Sequence, residues 1–417
     1  MPTLDEWEQA LATPRYVTVE SSPALVQQIR DAHAWMDADR TRRGKVIPLR
    51  KDNLVEVPTF SPTRTIEVIP AALLLRLGVV TTPVIPNLAE LSATWAQIRY
   101  IWAFEIPPLG QINPKLRLSN EAVGIDFHQK AVLSDEIGVG MAAILLGTYF
   151  DAPEAVDVSI AMKDPNWRIG RQNNSSPDYI FFGPNQTNLH VVECKGTQSS
   201  RSVSIDQLRR GTEQVKSLRF ANRPSPPSLV VATCLSRRDT KVLLIDPPDE
   251  GDPASRREPE RLSDREWMIF DSEEFARSTR LLSQAKSLAF AGALREASDK
   301  VEQTRVPVPK RRRTTPPQTE IVENEFGRFR GALQPVGLMD RMDISIFQGI
   351  DESMYGAMVQ DDVPQIAEQT LAFRQRITGH AGATAGQPVS SRRDHGILIV
   401  RTMARDGSFL EVRVSPR

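Results

Sequence analysis

Two short segments in the middle of the chain hold residues whose types and spacing can do chemistry. They are Ser176-Pro177-Asp178-Tyr179-Ile180-Phe181-Phe182 and Leu189-His190-Val191-Val192-Glu193-Cys194-Lys195-Gly196. Side chains alternate across a strand, so Glu193 and Lys195 share one face and Cys194 takes the other. Pairing of the two segments as a hairpin would bring Asp178, at the start of the first strand, beside the end of the second. The Asp178 and Glu193 carboxylates then converge, with an ammonium next to them. Two carboxylates that close are unfavourable unless something positive lies between them. A hard divalent cation such as magnesium suits oxygen ligands of this kind and keeps positions for water and substrate phosphate. Lys195 can orient or help deprotonate an attacking water and stabilise charge building on phosphorus. These parts suit metal-assisted hydrolysis of a phosphodiester. The plainer alternative is a solvent-facing Glu193–Lys195 pair, with Asp178 a turn residue after Pro177.

The surrounding pattern supplies the elements that must position these residues. It predicts a long helix over Phe127–Leu146, a half-buried strand over Ala155–Met162 and a polar loop over Gly170–Ser176. Strands over Tyr179–Phe182 and Leu189–Lys195 follow, joined by a turn at Gly183-Pro184-Asn185. Next come an amphipathic helix over Ile205–Phe220, buried strands over Leu229–Leu235 and Val242–Ile245, and a helix over Phe270–Leu294. A helix between strands indicates an α/β block, a mixed sheet with helices on its faces, over residues 119–300. Residues 1–118 read as an N-terminal region of unknown role, with short helices and loops over 1–60 and apolar runs alternating with prolines over 61–118. Asp5–Leu11 and Ala24–Asp39 have helical spacing, Trp35 and Met36 offer an apolar edge, and Asn87 could cap a helix running to about Phe104. Residues 301–320 form a proline-rich linker around Lys310-Arg311-Arg312-Arg313, and 321–417 a small C-terminal α+β unit. In that unit Leu371–Ile377 ends a helix, Gly379–Gly386 is a small-residue loop, and Gly396–Met403 and Ser408–Val414 read as a hairpin around Asp406-Gly407.

Pro177-Asp178 followed by Glu193-Cys194-Lys195 resembles the PD-(D/E)XK nuclease superfamily. The order helix, three strands, helix, strand from Phe127 to Leu235 is similar to its restriction-endonuclease-like fold. The resemblance covers about a third of the chain. It implies that Asp178 and Glu193 are metal ligands, that the backbone carbonyl of Cys194 is a further ligand, and that Lys195 is the catalytic lysine. The implied ion is magnesium, with manganese able to substitute. Many members add an acid from the first helix, and Glu136 is the candidate: it shares a stripe with Val132, Leu133, Val139, Gly140 and Ala143. A carboxylate on an apolar face needs a cation or a donor. Alternatively, Ser134-Asp135-Glu136 opens a helix, where acids are favoured. On the following helix Gln207 and Gln214 lie on one face with Arg210 between them, which would contact phosphate, orient Lys195 or form a solvated face. The polar loop Ser199–Ser202 either touches a nucleic-acid backbone or is an ordinary solvated loop, and the run Lys310–Arg313 is a phosphate clamp, a nuclear-import signal or a solvated stretch of linker. The implied activity is that of a metal-dependent nuclease, on DNA in preference to RNA, in a setting such as restriction or phage defence, as a homodimer or with a partner protein. The competing expectation is a nuclease-like module that binds nucleic acid or a partner without cutting.

Composition narrows the field. The 417 residues carry 52 basic and 52 acidic side chains, so nucleic-acid binding would need a local basic patch. Two cysteines and five scattered histidines give neither a disulfide framework nor zinc-ligand spacing. No phosphate-cradling Gly-x-x-x-x-Gly-Lys-Ser/Thr loop is present, which argues against an ATP motor. Met1–Leu11 lacks the basic start and apolar stretch of a signal peptide, and the most apolar run, Val68–Pro86, is interrupted by Pro70, Arg76 and Pro83. The expectation is a soluble chain in the reducing cytoplasm, without a membrane partner.

Overall fold

The computed structural model describes residues 3–45, 47, 53–84, 89–108, 110–167, 169–171, 175–183, 189–220, 226–247, 272–307, 319–336, 342–380 and 388–416. Helix α1 (Leu4–Ala12) starts in a capping box, in which the Thr3 hydroxyl and the Glu6 carboxylate each accept the other residue's backbone N–H. Strand β1 (Arg15–Glu20) leads to α2 (Pro23–Arg42), capped by Ser22 with Pro23 at its first position. Then come β2 (Thr63–Val68), α3 (Pro70–Thr81), α4 (Ala89–Tyr100), α5 (Asn120–Gly124) and α6 (Phe127–Tyr149). The middle of the chain supplies β3 (Glu154–Asp157), α7 (Val158–Ala161), β4 (Ile169–Arg171), β5 (Tyr179–Phe182) and β6 (His190–Thr197). It continues with α8 (Arg201–Ser217), β7 (Leu218–Phe220), β8 (Ser228–Leu235), β9 (Thr240–Ile245), α9 (Ser272–Phe290) and α10 (Leu294–Glu302). The C-terminal part holds β10 (Glu320–Asn324), β11 (Gly327–Pro335), β12 (Met342–Asp351), α11 (Glu352–Gln360), α12 (Val363–His380), β13 (Val389–Asp394), β14 (Ile397–Met403) and β15 (Ser408–Pro416).

The central sheet is mixed and has seven strands in the order β2-β1-β9-β8-β6-β5-β3. Strands β3, β5 and β6 form an antiparallel meander; α8 then crosses over and β8 returns parallel to β6. Strand β9 pairs antiparallel with β8, β1 parallel with β9, and β2 closes the far edge. Two of the seven strands therefore come from the N-terminal region: β1 from the stretch read as short helices and loops, and β2 from the apolar runs that alternate with prolines. The C-terminal sheet is antiparallel, in the order β10-β11-β12-β15-β14-β13. Its β14–β15 hairpin turns at Asp406-Gly407, where Gly407 takes a φ of +84° that a residue with a Cβ adopts only under strain.

Several local expectations shift. The strand expected over Ala155–Met162 stops at Asp157, because the Asp157 carboxylate accepts the Ser159 N–H (2.6 Å) and caps the short α7. The helix expected over Phe270–Leu294 breaks between Phe290 and Leu294, where Gly292 takes a φ of +77°. Trp35 does not provide an apolar edge: it is 69% exposed, and α2 buries Leu25, Val26, Ile29 and His33 instead. Within Gly170–Ser176, Arg171 closes the short strand β4, which pairs with β7. Asn87, Pro184-Asn185, Lys310–Arg313 and residues 381–386 of the small-residue loop lie outside the described residues.

Helix α6 packs on one face of the sheet, and α2, α8 and α9 cover the other. Helix α3 is buried along nearly its whole length, between α6 on one side and strands β14 and β15 on the other. A helix that is apolar all round belongs in such a layer. Its Arg76 is the exception, and the Asp406 carboxylate and the Pro153 carbonyl accept its guanidinium hydrogens. Among the described residues α6 is the one helix long and apolar enough to cross a membrane, and it spends those apolar side chains in this core.

The contact between α6 and β6 depends on two glycines. A Cβ on Gly138 would meet the Lys195 carbonyl oxygen at 2.8 Å, and a Cβ on Gly196 would run into the Ser134 carbonyl. Gly196→Ala is therefore expected to destabilise the fold by about 3 kcal/mol or more in urea unfolding. Gly124→Ala, where a Cβ meets nothing within 4 Å, should be close to neutral; equal effects at the two positions would contradict the packing described.

Candidate functional site

The β5–β6 ladder ends at the pair Tyr179↔Val192, so the next stretch of β6 faces the residue just before β5. That residue is Asp178. Its Oδ2 accepts the Cys194 N–H at 2.9 Å, and the Cys194 carbonyl turns to the same side of the strand. The Cys194 thiol points the other way, into the core beneath α6, where burial pushes its pKa well above the usual thiol value. Asp178, the Cys194 backbone and Lys195 border a cavity of about 310 Å³, together with Asp135, Asp157 and Tyr179.

Glu193 is not solvent-facing: it is completely buried, and it does not line that cavity although its neighbours Cys194 and Lys195 do. Helix α8 seals it in, and Gly211 makes the close approach possible, since a Cβ there would lie 3.2 Å from Glu193 Cγ. The Lys195 ammonium pairs with Glu193 Oε1 and remains about a fifth exposed, with 22% of its side chain accessible. The Asp178 N–H also points at the Glu193 carboxylate, yet neither Glu193 oxygen completes a well-formed hydrogen bond among the described residues.

The electrostatics follow from burial. Desolvation, with Asp178 nearby, lifts the Glu193 carboxyl to about 8 despite Lys195. Burial also raises Asp178 against the pull of Lys195 and the Cys194 N–H, and raises Asp135 against Lys195 and the Gly196 N–H. Burial would weaken the Lys195 ammonium, but Glu193 and Asp178 outweigh it and raise its pKa. Three carboxyl groups thus surround one ammonium. Their donor atoms are all hard oxygens, which match magnesium or manganese rather than zinc. Among the described residues no three His, Cys, Asp or Glu side chains stand together as a ready-made metal cluster.

Other candidate residues are placed differently from the sequence reading. Glu136 does not line the cavity; it faces the Tyr100 hydroxyl on α4, whose pKa burial and this carboxylate both raise. Asp135, one position earlier, takes the cavity wall and accepts the Gly196 N–H. The signal for Asp135 lay in Gly138: the glycine marks where α6 comes closest to β6, and a residue three positions away shares that face. Gln207 donates from Nε2 to the Gly196 carbonyl (3.0 Å), and Gln214 donates to the Ser176 carbonyl (3.3 Å), so both hold backbone at the edges of the site. Arg210 points outward, 65% of its side chain accessible, and pairs with Asp206 at 2.8 Å. Arg201, in the polar loop of the sequence reading, opens α8 and pairs with Glu20. His190 packs edge-on against Phe150, and burial lowers its pKa to about 4.

Compared with known proteins, the chain matches no protein-family model, no curated protein and no solved structure at a significant level.

The raised Glu193 carboxyl has a signed consequence for stability. Between its ordinary 4.5 and about 8 the folded state holds a proton that the unfolded chain has released, so its contribution is full at low pH and is lost as pH rises through about 8. Melting temperature in EDTA should therefore fall more steeply over this window in the parent than in Glu193→Gln. Glu154, raised by burial to about 7, and His190 titrate in both proteins and cancel in the difference. Parallel curves would show that Glu193 does not carry this proton.

Proposed function

We propose that this chain is a divalent-metal-dependent nuclease of the PD-(D/E)XK type, with a restriction-endonuclease-like core, that hydrolyses phosphodiester bonds in DNA. The observation that carries the reading is the completely buried Glu193 carboxylate, held beside Asp178 with Lys195 as its ion-pair partner. A fold tolerates such a cluster of buried carboxyl groups, one of which keeps its proton up to about pH 8, where the cluster serves a cation that displaces that proton. The order of elements supports the same reading: helix α6, the β3-β5-β6 meander, crossover helix α8 and parallel strand β8. Asp178, Glu193 and the Cys194 carbonyl are the groups that would hold the ion, with Asp135 rather than Glu136 as the acid from α6. Bound there, magnesium or manganese would supply Lewis-acid activation of the phosphate and of a water.

The chain's own groups do the rest. Lys195 reaches the cavity from the strand that carries Glu193, so its ammonium is available to orient the attacking water and to stabilise charge on the phosphoryl oxygens. Gln207 fixes the Gly196 carbonyl and thereby the end of β6 that bears Lys195. Asp178 fixes the other side of that strand end through the Cys194 N–H.

Lys195→Ala should lower the rate of DNA cleavage by roughly 10²–10³-fold, the usual effect of removing one preorganised electrostatic group. The dissociation constant for DNA should change only a few-fold. Cleavage at the parental rate by the variant would remove Lys195 from the mechanism, and equal losses in binding and cleavage would make it a binding residue instead.

A further inference from the structure

A second cavity, of about 260 Å³, lies where the seven-stranded sheet meets the C-terminal part. Phe182 at the end of β5, Met354 and Met358 on α11 and Ile366 on α12 give it apolar walls. Gln284 of α9 lines it and is only 2% exposed, yet neither its amide oxygen nor its amide nitrogen has a partner among the described residues. A buried primary amide with both ends unsatisfied is destabilising and calls for an explanation. Glu154, the first residue of β3, lines the same space with one carboxylate oxygen held by the Ser283 hydroxyl. Arg280 stands at the wall, with its nearest carboxylate, Asp361, 4.0 Å away.

We infer that this cavity is a binding site for a mononucleoside, whose base edge is read by the Gln284 amide. An amide presents a donor and an acceptor side by side in one plane, the pattern that glutamine uses to pair with the edge of a base. Flexible methionines and an aromatic ring suit the faces of a planar heterocycle, and sulfur packs favourably against rings. Glu154 adds a second polar point beside the amide. Burial brings its carboxyl to about 7, so it can donate or accept near neutrality. The volume lies just below the usual range for drug-sized ligand pockets, which suits a ligand as small as a base with its sugar and excludes a strand. The site is separate from the nuclease reading, although β3 links them: Glu154 lines this cavity, and Asp157 at the other end of the strand lines the first.

The test is calorimetric titration of the full chain with adenosine, guanosine, cytidine and uridine, paired with thermal melting. The parent is expected to bind at least one of the four at one site per chain and to melt higher in its presence. Gln284→Leu should weaken that binding at least tenfold while melting no lower than the parent, because the substitution removes the unsatisfied amide. Ala367→Trp, which fills the cavity from α12, should abolish binding while leaving cleavage of DNA unchanged. No binding of any nucleoside at millimolar concentration, or equal binding by the parent and both variants, would overturn the assignment.

Discussion

Burying the Glu193 carboxylate beside Asp178 is the constraint around which the middle of this protein is arranged. A lone buried carboxylate is costly in a medium of low dielectric constant, and here desolvation outweighs the attraction of Lys195. The surroundings are built for closeness rather than relief. Gly211 lets α8 settle on Glu193, and Gly138 and Gly196 let α6 press against β6. The end of the β5–β6 ladder at Tyr179↔Val192 leaves the Cys194 N–H for Asp178. Each of these features brings acidic groups together around one ammonium, which is the opposite of what stability alone would favour.

The remainder of the chain holds that arrangement rigid. Strands β8 and β5 flank β6, and β1 and β2 cover the β9 side of the sheet, so the site strand lies well inside it and away from either edge. Helix α3 joins the two sheets by presenting apolar side chains to both α6 and the β14–β15 hairpin. Arg76 adds a specific link through this layer, from the centre of α3 to the Asp406 turn. The second cavity arises at the same junction, where α9, α11 and α12 meet the first residue of β3.

Much of the site region was legible because its signals are local. Alternation set Glu193 and Lys195 on one face, and the apolar run Tyr179–Phe182 marked β5 with the same bounds as the strand. The β14–β15 hairpin was legible from Asp406-Gly407, since that turn needs a left-handed residue. What escaped depends on tertiary partners. Helical periodicity pointed to Glu136, but the register of α6 against β6 gives the cavity to Asp135. The burial of Glu193 is equally invisible in one strand, because it comes from a glycine on a helix eighteen residues later. Strand β1 pairs with β9 across more than two hundred residues, and no local pattern announces such a partner.

On the function proposed above, the carboxylate cluster serves metal-dependent cleavage of DNA. That role is tested most directly by incubating mixed DNA and RNA substrates with the full chain and with Asp178→Ala, in magnesium, manganese or EDTA. The parent is expected to cut DNA with either metal and not in EDTA, and the variant to cut under no condition. Cutting that persists in EDTA or in Asp178→Ala, or a parent that cuts nothing with either metal, would contradict that role.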